Sequence, residues 1–316
     1  MWLLMPLLQR YALAKSNARS SHIIPTPQGG GIAVIAATLM VSIAFLAPSG
    51  SIESRIPTTV VLATLFMAAL GAADDIKSIS VLPRLIGQGL AVGSIVLIVP
   101  AELRIIPACP FWIERGVLLL AGVWFVNLVN FMDGIDWMTV AESVPITIAL
   151  VIFGYTGVLS IGATMVAATL GGALLGFAPF NRPVAKVFLG DAGSLPIGLI
   201  LGWCLLMLVY QGHMVAALLL PLYYLADATL TMLHRLFAGE KVWTAHRSHF
   251  YQRATNNGFS VLNVVGTVFC LNLALVVLAI TSTLVISPAA KIMALVVGAM
   301  LVGLALFTFS RPRPTQ

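Results

Sequence analysis

The chain has 316 residues, of which 59% are apolar and only 9% charged, with a formal net charge of +6. A soluble domain carries roughly a quarter charged residues, so this composition excludes a water-soluble globule. A helix crosses the roughly 30 Å hydrocarbon layer in about 20 mostly apolar residues while satisfying its own backbone, which makes an all-α polytopic membrane protein the expectation, as one domain over 1–316.

Apolar runs bounded by charge, proline or glycine predict ten or eleven transmembrane helices. They lie near 1–14, 31–48, 58–73, 85–101, 116–131, 138–155, 160–177, 194–211, 214–233, 261–282 and 288–309. The first is short and is followed at once by Arg10, Lys15 and Arg19. It reads as a clipped anchor helix rather than a signal peptide, since no small-residue cleavage site fits before the next span.

Alternating sides along these spans sorts the lysines and arginines into thirteen against four, and the positive-inside rule makes the richer side cytoplasmic. All six aspartates, Asp74, Asp75, Asp133, Asp136, Asp191 and Asp227, fall on or near that face, as do His22, His234, His246 and His249. Glu53, Glu102 and Glu114 stay outside. The gathering of titratable groups from distant loops predicts a cytoplasmic-face active site.

The third span ends in GAADDIKS, where Asp74 and Asp75 project about 100° apart on a helix. They divide their labour, one near a metal or lipid phosphate and the other available as a base. Charges at such a helix end are expensive unless compensated. The fifth span runs out through NLVNFMDGID, which sets Asn127, Asn130, Asp133 and Asp136 every three residues as a slowly drifting stripe. Amides there read a base or hold phosphate oxygens, carboxylates bind metal or orient the amides, and Gly134 lets the backbone turn. An interhelical hydrogen-bond stripe is the structural alternative.

Between the seventh and eighth spans, FLGDAGSLPIG sets Asp191 among small residues, with Ser194 just before a new helix. The segment reads as a metal ligand beside a phosphate cradle at a helix amino end, or more simply as a helix capped by Ser194. The longest inside loop, 236–260, contains AHRSHFYQR, in which Arg247 and Arg253 interleave with His246 and His249, beside Phe250 and Tyr251. That mixture binds phosphates by charge and stacks a base or sugar ring, whereas two histidines without a third ligand make an incomplete zinc site. Carboxylates repel phosphates, so a divalent cation bridging the two resolves the arrangement. Magnesium does this with one or two carboxylates plus substrate oxygens, and manganese is its substitute.

In order and spacing these motifs, with PTPQGGG at 25–31, resemble the polyprenyl-phosphate N-acetylhexosamine-1-phosphate transferase family over nearly the whole chain. That family includes the initiating transferases for O-antigen and enterobacterial common antigen, and the phospho-MurNAc-pentapeptide translocase. The resemblance implies magnesium on Asp191 and Asp75, with Asp74 and Asp75 handling the metal and the prenyl phosphate. It implies a nucleotide and metal pocket lined by Asn127, Asn130, Asp133 and Asp136, the last two joining the aspartate pair in catalysis. His246, Arg247 and His249 would contact the diphosphate or sugar, and Lys77, Arg84 and Gln88 would assist the phosphates. The translocase carries three consecutive histidines followed by Phe and Glu, whereas here Arg247 and Ser248 intervene. That departure argues against a cell-wall precursor and toward N-acetylated sugars such as FucNAc, QuiNAc or GlcNAc.

The implied chemistry takes place at a bacterial inner membrane. A UDP-N-acetylhexosamine enters from the cytosol, undecaprenyl phosphate arrives laterally, its oxygen attacks the sugar-bearing phosphorus, and UMP leaves. An aspartate such as Asp74 serves as base, and a covalent aspartyl-phosphate route stays open. Membrane lipid is a partner and nucleic acid is not. The rival class is an ion-coupled secondary transporter, but transporters bind their ions near the midplane on broken helices. Gly172 with Gly176 and Gly198 with Gly202 read as close helix packing first and a homodimer contact second. Trp112 and Trp137 read as interface anchors, and Cys109, Cys204 and Cys270 as packing.

Overall fold

The structure, a computed structural model, describes residues 5–11, 26–46, 57–244 and 246–313. Half of the first expected span, Pro25 of PTPQGGG, and the sidedness residues Lys15, Arg19, His22, Glu53 and Arg55 lie outside the described residues.

In chain order the helices are α1 (Met5–Tyr11), α2 (Gly30–Leu46), α3 (Thr58–Ile76), α4 (Val81–Ile98), α5 (Phe111–Met132), α6 (Met138–Tyr155) and α7 (Ile161–Phe177). They continue as α8 (Asp191–Tyr210), α9 (Met214–Leu219), α10 (Leu222–Phe237), α11 (Phe250–Asn256), α12 (Val261–Leu284) and α13 (Pro288–Ser310). Among the described residues α3, α4, α5, α6, α8, α12 and α13 are long and apolar enough to cross a membrane, and α2 and α7 are shorter apolar helices. The chain is therefore an all-α polytopic membrane protein. The described residues hold no strand, only a parallel bridge between Gln28 and Phe188.

Two expected elements differ. The ninth span is broken into α9 and α10 at Leu220–Pro221, because proline lacks the N–H that would continue the ladder and its ring crowds the preceding turn. Inside the polar loop after α10 lies α11, a seven-residue helix too short to show a period.

α8 is the central post. Of its most apolar stretch 78% is buried, against 28% for the peripheral α13, and α2, α3 and α5 pack along it. Between helices in lipid, association depends on close packing rather than on apolar burial, and here glycine supplies the approach. A Cβ at Gly31 would lie 2.1 Å from Gly193 Cα, and one at Gly71 would lie 2.1 Å from the Asp191 carbonyl oxygen. These contacts draw the ends of α2 and α3 onto the start of α8. Further along α8, Gly198 and Gly202 pack against Val126 and Phe125 of α5, as expected of a GxxxG pair. Gly172 and Gly176 do not fit that expectation, since a Cβ at either would meet nothing within 4 Å.

Trp112 is 73% exposed, in keeping with an interface anchor. Trp137 is not one. It adopts a left-handed φ of 65°, its backbone N–H donates to Asn181 Oδ1 (2.8 Å) and its indole to the Ala178 carbonyl (2.6 Å). It ties the turn after α5 to the α7–α8 connection.

Candidate active site

The starts of α4 and α8 and the end of α5 meet at one end of the bundle, around a cleft of about 600 Å³. At the opposite end, about 30 Å away by the length of α5, Glu114 accepts from Arg104 and two backbone N–H groups. There Arg115 donates to the Val96, Val99, Pro100 and Leu103 carbonyls and to Tyr210. That end is closed by mutual pairing.

Asp74 and Asp75 diverge as their helical spacing predicts. Asp74 accepts from the Ile79 backbone N–H (2.5 Å) and from Arg84 (3.0 Å). Asp75 turns inward. It accepts from Gln28 Nε2 (2.5 Å) and from the backbone N–H groups of Asp191 (2.9 Å) and Ala192 (3.0 Å). The anion at the amino end of α8 is thus the Asp75 carboxylate, which corrects two expectations. The small-residue turn is not an open phosphate cradle, and Ser194 is not the cap. Ser194 lies inside α8, where its hydroxyl accepts from Asn130 Nδ2 (2.9 Å). Gly190 is needed here, since its φ of +76° is left-handed and a Cβ would stand 2.6 Å from Asp75 Oδ2.

So capped, α8 presents Asp191 to the cleft. One oxygen accepts from Asn130 Nδ2 (2.7 Å), and the other lies 3.9 Å from Arg84 Nη1. The stripe expected at the end of α5 holds for Asn127 and Asn130 only, because α5 ends at Met132. Asn127 lines the cleft but is braced against Gln88 Oε1 (2.6 Å) and the Val123 carbonyl. Asp133 caps the helix end and accepts from Thr139 (2.5 Å). Burial at the cleft floor pushes its carboxyl up to about 8 against the Thr139 hydrogen bond, and the neighbouring Asp191, Asp75 and Asp136 carboxylates add to the rise. Asp136 lies beyond the helix in the turn that follows α5, buried and accepting from the Ala185 backbone N–H (3.0 Å), and Gly134 in that turn is needed not for its backbone angle but to admit the Tyr251 hydroxyl.

The histidine loop completes the cleft. His246 and His249 both line it with ring centroids 4.9 Å apart, and His246 pairs with the Ser248 hydroxyl at 2.8 Å. His249 Nδ1 lies 3.2 Å from Asp227 Oδ1. Asp227, fully buried in α10, also accepts the backbone N–H groups of Phe250 (3.0 Å) and Tyr251 (3.1 Å). Sequence reasoning assigned no site role to Asp227. The usable signal was an aspartate inside an apolar, aromatic segment, which is costly without a dedicated partner. The Tyr251 phenol, raised well above 10 by burial, donates to the Phe131 carbonyl (3.0 Å) and presses α11 on the Gly134 turn.

Not every expected residue reaches the cleft. Asp74, Asp75, Lys77 and Arg247 are absent from its lining, and Lys77 is exposed at the end of α3. Among the described residues no three His, Cys, Asp or Glu side chains form a ready metal cage. Cleft-facing Asp133 and Asp191 nonetheless suit a hard cation that takes one or two carboxylates and fills its shell with substrate oxygens. The cleft lining joins these polar groups to apolar side chains, Val81 and Leu85 of α4, Leu120 and Trp124 of α5, and Met232 of α10.

Residues 57–209 match the family model described as glycosyl transferase family 4, a stretch that holds the aspartate pair, NLVNFMDGID and Asp191 but not the histidine loop. The chain is 28% identical over 293 residues to decaprenyl-phosphate N-acetylglucosaminephosphotransferase of Mycolicibacterium smegmatis, covering 82% of this chain and 72% of that one. It is 24% identical over 295 residues to the probable undecaprenyl-phosphate N-acetylglucosaminyl 1-phosphate transferase of Bacillus subtilis, covering 84% and 79%. It is 30% identical over 226 residues to phospho-N-acetylmuramoyl-pentapeptide-transferase of Chlamydia muridarum, covering 62% and 64%.

Proposed function

We propose that the chain acts as a polyprenyl-phosphate N-acetylhexosamine-1-phosphate transferase, a reading supported by its likeness to glycosyl transferase family 4 and to the phosphotransferases named above, and that it moves a sugar 1-phosphate from a UDP-N-acetylhexosamine to undecaprenyl phosphate. The reaction takes place at the cytoplasmic face of a bacterial inner membrane and begins an O-antigen or other surface polysaccharide. One observation carries the reading: carboxylates from the end of α5 and the start of α8, with Arg84 of α4, converge on a cleft lined by both polar and apolar side chains. A water-soluble nucleotide sugar and a lipid phosphate need both kinds of surface.

The prenyl phosphate oxygen forms the new P–O bond to the sugar-bearing phosphorus, and the bond to UMP breaks. Asp191 and Asp133 are the residues that would hold magnesium, which when bound neutralises phosphate charge beside the carboxylates. Asp75 is reassigned from metal ligand to positioning residue, since both of its oxygens hold the start of α8. Asp74 is likewise engaged by Arg84 and Ile79 and does not line the cleft, so it too serves as a positioning residue. Arg84 lies between Asp74 and Asp191 and orients a phosphate at the cleft, while His249 and His246 contact the diphosphate or sugar from the opposite loop.

Purified protein given undecaprenyl phosphate, magnesium and a panel of UDP-sugars, the MurNAc-pentapeptide donor included, is expected to release UMP with one or two N-acetylated hexosamines. Asp191→Asn is expected to abolish release while the protein stays folded. Wild-type protein silent with every donor overturns the proposal.

A further inference from the structure

Arg235, near the end of α10, belongs to the inward positive set and would be expected to meet phosphate. It does not. Its side chain is 4% exposed, and its five N–H donors all have acceptors in the segment that follows: Glu240 (2.7 Å), the Lys241, Val242 and Thr244 carbonyls (3.2, 3.4 and 3.5 Å) and the Thr244 hydroxyl (3.2 Å). Thr244 in turn donates to the Lys241 carbonyl (2.6 Å), and Gly239 makes the turn with a φ of +72°. A rigid guanidinium fork saturated in this way fixes the fold of residues 240–244.

That segment holds out a tryptophan. Trp243 is 64% exposed and lines the cleft with Val242 and Thr244. The same cleft is lined by the apolar side chains of α4 and α5 and by Met232 of α10. On the outer side, Leu236 and Phe237 are 57% and 85% exposed. A tryptophan that merely anchors the chain in the headgroup layer needs exposure alone. It does not need a buried, fully bonded arginine beneath its loop, nor a position on the cleft.

We infer that Trp243 forms part of the acceptor-lipid end of the cleft, packing on the isoprene units nearest the phosphate, and that Arg235 is the positioning residue that holds it there. The inference rests on the reading of the cleft as a prenyl-phosphate site and assigns its apolar contact. A rigid aromatic plane fits a methyl-branched chain, and presetting the loop avoids the ordering cost of closing it on the ligand.

The test uses the full chain in detergent with farnesyl phosphate, an acceptor short enough to act from solution. Addition of farnesyl phosphate is expected to change tryptophan emission, with the change lost in Trp243→Phe, which leaves five of the six tryptophans. In turnover, Trp243→Ala is expected to raise KM for farnesyl phosphate about tenfold, with kcat and the KM for the UDP-sugar within about twofold. Arg235→Lys, which loses the fork, is expected to give the same split, and Trp243→Phe to recover most of the loss. A rise in the UDP-sugar KM instead makes the ring a nucleotide or sugar contact and overturns the inference. So does an effect seen only with undecaprenyl phosphate in vesicles, the mark of a membrane anchor. Protein that shows the Trp243-dependent emission change but releases no UMP refutes the transferase reading alone, whereas UMP release without that change refutes this inference alone.

Discussion

At the starts of α8 and α11 an aspartate from another helix accepts two successive backbone N–H groups, yet the two junctions hold different cargo. Asp75 of α3 holds α8 and thereby presents Asp191, a carboxylate, in a neighbourhood already crowded with Asp74 and Asp133. Asp227 of α10, which also accepts from the Tyr223 and Thr231 hydroxyls, holds α11 and thereby presents His249, an imidazole. A carboxylate at a helix amino end is favourable on both counts, hydrogen bonding and dipole. At α8 the device sets like charges against one another, which the proposed magnesium would neutralise. At α11 it sets an imidazole at the cleft, where the proposal has it meet a phosphate or sugar.

The largest expected effect breaks the first junction. Asp75→Ala leaves two buried N–H groups without an acceptor, and we expect a loss of about 3 kcal/mol in stability together with a fall of about a thousandfold in UMP release. Thermal melting and UMP release in detergent measure both, and an unchanged melting curve would show that α8 needs no such hold. Asp227→Asn sharpens the contrast. Its second oxygen becomes an NH2 facing a backbone donor, and because it acts through His249 we expect a loss of roughly a hundredfold in kcat with KM little moved. A loss confined to KM would make His249 a binding group only.

Next comes a pH effect of a few degrees, in the metal-free protein. The folded carboxyl of Asp133 is raised to about 8 from its ordinary value, so its contribution to stability is complete below about 4 and disappears as pH rises through about 8. The melting temperature is therefore expected to fall across that window, and Asp133→Asn to flatten the fall while removing activity. A wild-type curve without that slope contradicts the burial and like-charge crowding that together raise this carboxyl. The smallest effect belongs to Lys77→Ala. It lies outside both junctions and outside the cleft lining, and steady-state kinetics should change by less than about twofold.

Much of this was legible in sequence. Span positions follow from hydropathy alone, and the divergence of Asp74 from Asp75 follows from helical spacing. The less legible parts depend on tertiary partners. The start of α8 lies three residues before the expected 194, because Asp191 and Ala192 become helical only when Asp75 supplies the cap. Asp136 leaves the α5 stripe because the helix ends before it, and no local pattern marks a helix that stops inside a polar motif. Asp227 escaped because its partners, His249 and two backbone N–H groups, lie 22 to 24 residues away.

The crossing of Gly31, Gly71 and Gly193 has a consequence for anyone altering this protein. A saturation-mutagenesis map scored for activity should show three empty columns there, with alanine as damaging as tryptophan, because even one methyl group would lever Asp191 out of reach of Asn130. Gains in catalyst design should be sought at lipid-facing positions, where the scaffold has room to give.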